Sequence, residues 1–259
     1  MVESLRKDEY LRHIREPEKI TMLRHILDLA EISSRNYRAA ASDFLDPYEQ
    51  RLVALLAHHF PEVELFFEPQ DERERKIAVF VPYAVESDFL SAFFLEGGEV
   101  FDHRNVLGSL LGLGIERGKI GDIVSVEDGA YVFVKKEVAH FIELSLSKVG
   151  SVPVRVREYA VESVPEAREA WVQNYGVVAS MRLDAVVRAV TRHSRDEVRN
   201  LVAKGLVKIN FKPANKVHEV VEPGDLISVR GFGRIKIFDP VTATKKGKVR
   251  FCYGTLDSR

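Results

Sequence analysis

The feature that most limits how this chain can fold is a two-residue turn. Asp128-Gly129 separates Ile123-Val124-Ser125-Val126 from Ala130-Tyr131-Val132-Phe133-Val134. An Asp-Gly pair adopts the positive-φ turn that matches the twist of paired strands, so the two runs predict a β-hairpin. A lone hairpin is barely stable in water, and the flanking sequence switches to a helical period. Upstream, Val106 to Leu113 reads as an apolar helix ended by Gly114. Downstream, Val138, Phe141, Ile142 and Leu146 recur at helical spacing as far as Gly150. Lys76 to Val81, stopped by Pro82, reads as a buried strand, and Val152 to Tyr159 as a last one. Ser87 is placed to cap a short helix holding Phe89, Leu90 and Phe93. The order β-α-β-β-α-β predicts a ferredoxin-like domain over residues 75–160, the arrangement that RNA recognition motifs share. Tyr131 and Phe133 lie on one strand face. With few basic residues nearby, they are expected to pack under the helices rather than stack on bases.

Residues 1–74 read as a helical segment. Ile20, Leu23, Ile26, Leu27 and Ala30 recur at helical spacing, with Arg24, Asp28 and Glu31 between them. A second helix start is sharper: Asp46 at the cap, Pro47 at the first position and Glu49 at the third. An acidic stretch (Glu162, Glu166, Glu169) leads through residues 161–180, expected to be a linker, into the last segment.

That segment carries a charge balance that the whole chain hides. The chain has a net charge of −1, yet residues 181–259 hold 17 Lys and Arg against 8 Asp and Glu, while the remainder holds 21 against 31. A basic end of this kind concentrates phosphate polyanions around it. Leu183, Val186, Val187 and Val190 form one helix face, with Arg182, Arg188 and Arg192 outside it. After His193, Ser194 and Glu197 make a capping box, and Gly205 supplies the stop. Arg195 and Arg199, four apart, share one exposed face of this helix. Leu206 to Asn210 alternates as a strand, Pro223-Gly224-Asp225 turns into Leu226 to Val229, and Gly231-Phe232-Gly233-Arg234 lets a backbone approach. Guanidinium groups near a helix N-terminus, where free N–H groups and the positive dipole end already favour anions, point to nucleic acid.

The ordered set Arg182-Leu183-Asp184, Ser194-Arg195, Leu201-Val202, Gly205 to Asn210, Gly224-Asp225-Leu226-Ile227 and Gly231-Phe232-Gly233-Arg234 resembles the S4 RNA-binding domain. Val198 stands where that family usually has alanine, and Phe211-Lys212 replaces its common glycine. Over nearly the full length, Asp43-Phe44-Leu45-Asp46-Pro47, His103 to Gly108, Leu113-Gly114-Ile115 and Gly121-Asp122-Ile123 resemble the bacterial YlmH family, with Asn105 where that family often has aspartate. The resemblance implies an α+β chain: a helical N-terminal segment, a ferredoxin-like middle domain and a small α/β S4 domain with a basic tail over 181–259. It implies a cytoplasmic factor that meets the rRNA of the large ribosomal subunit and its tRNA. It further implies a part in quality control of stalled ribosomes, assisting alanine tailing of nascent chains beside other proteins of that process, and a link to cell division. The expected RNA contacts are Arg182, Arg192, Ser194, Arg195, Arg199, Lys204, Lys208, Asn210, Lys212, Arg230, Phe232 and Arg234, with His103 and Arg104 as a second contact.

S4 domains also accompany RNA-modifying enzymes, which makes an enzyme the rival class. Arg182-Leu183-Asp184 superficially resembles the catalytic stretch of a pseudouridine synthase, but Asp184 falls inside the S4 match and reads as a structural helix residue. Gly112 to Gly118 has the wrong spacing for a cofactor loop and follows a helical stretch. No His-Glu-x-x-His occurs, His58 and His59 are expected to point apart on a helix, and Cys252, the single cysteine, reads as a small core residue. The expectation is a monomeric, non-catalytic protein without metal or cofactor. No apolar run approaches the roughly 18 residues of a membrane span, and the charged N-terminus predicts no secretory leader.

Overall fold

The computed structural model describes residues 9–12, 14, 16–82, 88–166, 170–244 and 247–256. The chain forms two compact units, Met1–Ala167 and Arg168–Arg259.

The first unit opens with helix α1 (Pro17–Asn36), which buries Leu23, Ile26, Leu27 and Ala30 and ends where Tyr37 turns left-handed at φ 49°. Helix α2 (Pro47–Leu56) starts at the expected capping box. The Glu49 N–H donates to Asp46 Oδ1 over 2.9 Å, and the Asp46 N–H donates to Glu49 Oε2 over 2.7 Å. The segment is not helical throughout, as the sequence suggested. Strands β1 (Ala40–Leu45) and β2 (Glu64–Glu68) flank β3 (Lys76–Val81) in an antiparallel sheet of order β1-β3-β2. Both flanking strands mix polar and apolar residues, and pairing with the apolar β3 fixes them, a long-range effect that local patterning does not carry. The strand at 76–81 therefore exists, but it belongs to this sheet and not to the ferredoxin-like one.

That domain begins instead at β4 (Leu90–Glu96), followed by α3 (His103–Gly112), the hairpin β5 (Ile120–Val126) and β6 (Gly129–Lys135), and α4 (Lys136–Ser145). A two-stranded ribbon, β7 (Lys148–Val149) with β8 (Val152–Pro153), leads to β9 (Arg155–Tyr159). The order β5-β6-β4-β9, antiparallel throughout, is that of a ferredoxin-like sheet. Phe89, Leu90 and Phe93 do not form a helix; Ser87, its expected cap, lies outside the described residues. Phe93 and Leu95 point into the helix-covered core while Ala92 lies in the core on the other side, a period of two. In the hairpin, a Cβ on Gly129 would sit 2.0 Å from the carbonyl oxygen of Leu95, so only glycine lets the neighbouring strand close.

Helices α3 and α4 bury Val106, Leu110, Ala139 and Ile142 against one face of this sheet. The other face is also covered: Ala92, Val124 and Phe133 pack with Phe44, Ile77, Val79 and Val81 of the first sheet. Phe133, 1% exposed, lies under the Arg73 guanidinium at 4.3 Å, and Lys135 Nζ donates to the Ser42 carbonyl over 2.7 Å. Phe133 thus packs against a sheet and not, as expected, under the helices. Tyr131 is half-buried between Phe94 and Tyr159, each 4.8 Å away by ring centroid.

In the second unit, helices α5 (Leu183–Thr191) and α6 (Arg195–Ala203) cover one face of a six-stranded sheet. Its strands are β10 (Trp171–Val178), β11 (Val207–Ile209), β12 (Lys212–Pro213), β13 (Leu226–Val229), β14 (Gly233–Ala243) and β15 (Val249–Leu256), in the order β10-β15-β14-β13-β11-β12. Much of the expected linker is therefore a strand, and the expected basic tail is a β-hairpin inside the sheet. Val178, Ile235, Ile237 and Phe251 bury the helix side of these added strands. Pairing with β15, which begins 71 residues beyond the end of β10, holds β10, so its residues looked like a linker in isolation.

Candidate nucleic-acid interface

Helix α6 is built for exposure of its first turn. The Glu197 N–H donates to Ser194 Oγ over 3.2 Å, and the Ser194 N–H donates to Glu197 Oε2 over 2.6 Å. These hydrogen bonds hold the Glu197 carboxyl below its ordinary range. At the other end, the Gly205 and Leu206 N–H groups donate to Val202 and Leu201 carbonyls, with Gly205 at φ +67°. That double closure needs a residue tolerant of the left-handed region. Val198 and Val202 face the core; Arg195 and Arg199 face solvent. Among the described residues Arg199 meets a loose carboxylate, Asp196 Oδ1 at 3.4 Å, with both side chains well exposed. Arg192, left-handed at φ 61° between the two helices, and Lys204, the C-cap of α6, are exposed as well.

Other expected contact residues have partners within the fold. Arg182 donates from Nε and Nη2 to Asp184 over 3.0 and 2.9 Å, a bidentate pair in which the carboxylate side chain is 12% exposed. The Leu183 and Asp184 N–H groups donate to the carbonyls of Glu219 and Val217, tying the start of α5 to the chain before β13. The Ser194 hydroxyl serves the cap. Asn210 donates from Nδ2 to Asp225 over 2.7 Å and accepts the Leu226 N–H over 2.9 Å, locking one turn to another. Asn210 and Phe211, at φ 49° and 70°, make the positive-φ turn between β11 and β12 where glycine is usual, and the Arg234 guanidinium lies 5.6 Å from the Phe211 ring.

The remaining cations do not form one field. Lys208 pairs with Ser228, and Ser228 with Arg234, so these three share the sheet face that looks away from α5 and α6. Lys212 is exposed on the edge strand β12. Arg230 is exposed in the β13–β14 turn, its N–H donating to the Leu206 carbonyl, and Phe232 beside it is 39% exposed. His103 and Arg104 are exposed at the start of α3, where Asp102 Oδ1 accepts the Arg104 N–H over 2.6 Å. They belong to the first unit.

The residues considered for catalysis are placed otherwise. Asp184 is buried and spent on Arg182. Gly112 ends a helix and Gly114 turns the chain at φ +86°, an order of helix, turn and strand unlike a phosphate-cradling loop. His58 and His59 do not point apart. They lie on a short 3₁₀ turn with ring centroids 3.8 Å apart, and His59 stacks on Tyr10 at 3.6 Å. Among the described residues, no group of three or more His, Cys, Asp or Glu is placed to hold a metal, and no helix is long and apolar enough to cross a membrane. Cys252 is buried in β15. Sequence reasoning missed Trp171, Tyr175, Lys236 and Arg250, which the added strands bring to the sheet. The signal was the alternation Val249-Arg250-Phe251-Cys252-Tyr253.

Two helices with an arginine-bearing capped turn, on a small sheet, define an RNA-binding protein of the S4 class, and residues 181–227 match the S4 domain model. Residues 98–163 match the model described as "Putative RNA-binding domain in YlmH". The chain is 34% identical over 251 residues, 93% of its length and 96% of the relative's, to the "Ribosome-associated protein quality control protein P2" of Bacillus subtilis. The chain belongs to the YlmH family of S4-domain RNA-binding proteins. A solved structure, "Cell division protein ylmH from Streptococcus pneumoniae", shares the fold over 58% of this chain and 97% of its own, with a TM-score of 0.51 at 18% identity.

Proposed function

We propose that the second unit docks through the exposed face of α6 on structured RNA of the large ribosomal subunit and its tRNA, and that the protein assists alanine tailing of stalled nascent chains. The observation that carries this reading is the pair Arg195 and Arg199, exposed one turn apart at the capped start of a helix. Such a pair offers planar donors to successive phosphates, while the helix N-terminus adds its own N–H groups. Arg192 and Lys204 widen the field, Lys212 on the edge strand and Arg230 in the β13–β14 turn add separate contacts, and Arg182, Ser194 and Asn210 hold the local shape. His103 and Arg104 serve as a second RNA contact from the first unit. The Bacillus relative's name supplies the ribosomal and quality-control setting. The protein acts in the cytoplasm as a monomer when free, alongside other quality-control proteins, and without catalysis of its own.

The test is sedimentation of the tagged protein with ribosomal fractions, beside an Arg195→Glu/Arg199→Glu variant. Wild type is expected with large subunits carrying tRNA, and the variant at the top of the gradient. Binding should weaken steeply with salt, each neutralised phosphate adding about −0.7 to −0.9 to the log–log slope. Wild type that never meets the ribosome overturns the docking reading. A nucleotide left unmodified in RNA from cells lacking the protein overturns the non-catalytic one.

A further inference from the structure

The S4 match ends at residue 227, but the sheet does not: β10, β14 and β15 extend it by three long strands. Their two faces differ in kind. Phe251 and Ile237 point into the helix-covered core, and a Cβ on Gly176 would lie 2.5 Å from the Phe251 ring. The alternate residues point the other way. Cross-strand register sets Tyr175 beside Cys252 and Cys252 beside Phe238; it sets Gly254 beside Lys236, and Val177 beside Arg250. Trp171 and Phe238 lean towards each other over Gly254, with ring centroids 6.4 Å apart, in space that a Cβ at 254 would invade at 2.7 and 3.0 Å.

This outer face combines flat rings with cations. The Arg250 guanidinium lies 4.4 Å from the Tyr175 ring, and Tyr175 is 59% exposed. Lys236, whose Nζ also donates to the Gly224 carbonyl, and Arg234 follow on β14, with Lys208 beyond them; the exposed Asp239 lies in the β14 bulge on the far side of Phe238, and the outward paired positions between Arg250 and Lys208 hold no carboxylate. An aromatic this exposed on an edge strand adds little to stability beyond its contact with Arg250. A base stacked on it and a phosphate set against the neighbouring guanidinium would both gain. The groups that read duplex RNA by backbone alone need no rings, so the aromatic content selects unpaired nucleotides.

We propose that this outer sheet face is a second RNA site, distinct from the α6 surface, which holds a single-stranded segment by stacking on Tyr175 and the Trp171–Phe238 pair, with Arg250, Lys236 and Arg234 tracking the phosphates. The sheet's α6 side and outer side therefore take differently structured parts of RNA.

The test uses the full-length protein and two fluorescent probes, a 12-nucleotide oligouridine and an RNA hairpin, with affinity read by anisotropy. Tyr175→Leu, which keeps the strand apolar, and Arg250→Gln are each expected to weaken oligouridine binding at least about fivefold while leaving the hairpin unchanged. Arg195→Glu/Arg199→Glu is expected to do the reverse, so failure of the α6 reading and failure of this one give different patterns. Crosslinking of 4-thiouridine-substituted oligouridine to wild type should label the peptide containing Tyr175, a readout that needs no variant to fold. Oligouridine binding that is absent in wild type, or equal in wild type and both variants, overturns the proposal. So does a crosslink confined to α6, or a dimer that buries Tyr175 in place of RNA.

Discussion

Each unit contains an antiparallel sheet with helices on one side, and the two sheets differ in what lies on the other. In the ferredoxin-like domain, the face on which RNA recognition motifs stack bases is covered by the β1-β3-β2 sheet, and Phe133 is sealed at 1% exposure. In the S4 unit, the corresponding outer face shows Tyr175 at 59%. Strand order alone therefore does not locate a binding surface. What the rest of the chain packs against that surface decides.

The comparison is broken most sharply by truncating the covered ring. Phe133→Ala should cost about 3–5 kcal/mol, since it empties a fully buried site between two sheets. Urea unfolding of Tyr175→Leu beside it should show a change within about 0.5 kcal/mol. Equal losses in the two variants would mean that the S4 face is covered as well. Next in size is the contrast within the S4 sheet itself. Gly176→Ala pushes a methyl into the buried Phe251 ring and should cost about 1–3 kcal/mol. Gly254→Ala meets the edge of the half-buried Phe238 ring at 2.7 Å, which can swing outward, and the Trp171 Cβ at 3.0 Å, which needs only a few tenths of an ångström of strand adjustment, and should cost less; thermal denaturation ranks the two.

Smaller still is the cap that sets the α6 surface. Ser194→Ala should lower stability by about 1 kcal/mol. The pH dependence follows from Glu197, whose folded-state pKa is depressed by its hydrogen bonds to Ser194. The sign is that of a lowered acid: its contribution is present above the ordinary glutamate range and is lost as pH falls through the depressed value. Protection of the amides at the start of α6, taken relative to their intrinsic exchange rate at each pH, should therefore fall on acidification in wild type, and Glu197→Gln should flatten that response.

Local chemistry made several elements legible from the residues alone. The Asp46–Glu49 and Ser194–Glu197 boxes and the stops at Gly114 and Gly205 each depend on residues within a few positions and stand where they are expected, whereas the hairpin turns one residue earlier than the expected Asp128-Gly129, at Glu127-Asp128, with Gly129 opening β6 at φ 159°. Leu90 to Glu96 was misread because Phe89, Leu90 and Phe93 fit a helical spacing by accident, while the alternation of burial becomes visible only once both faces of the sheet are filled. The same holds for Trp171 to Val178, read as a linker because its partner strand lies so far along the chain. In the candidate site, Arg195 and Arg199 were legible as an exposed i, i+4 pair. The engagement of Arg182 with Asp184, of Asn210 with Asp225, and the placing of Lys208 and Arg234 on the far face were not.

The sequence by itself determined the S4 helices, their caps, the hairpin and the concentration of positive charge in the last third, because propensity, capping and composition act over short range. Only the tertiary structure decided which strand opens the ferredoxin-like sheet, that its outer face is closed, and that the basic residues divide between two surfaces. Those outcomes depend on strand pairing between distant segments, where a shift of one residue exchanges the buried and exposed faces.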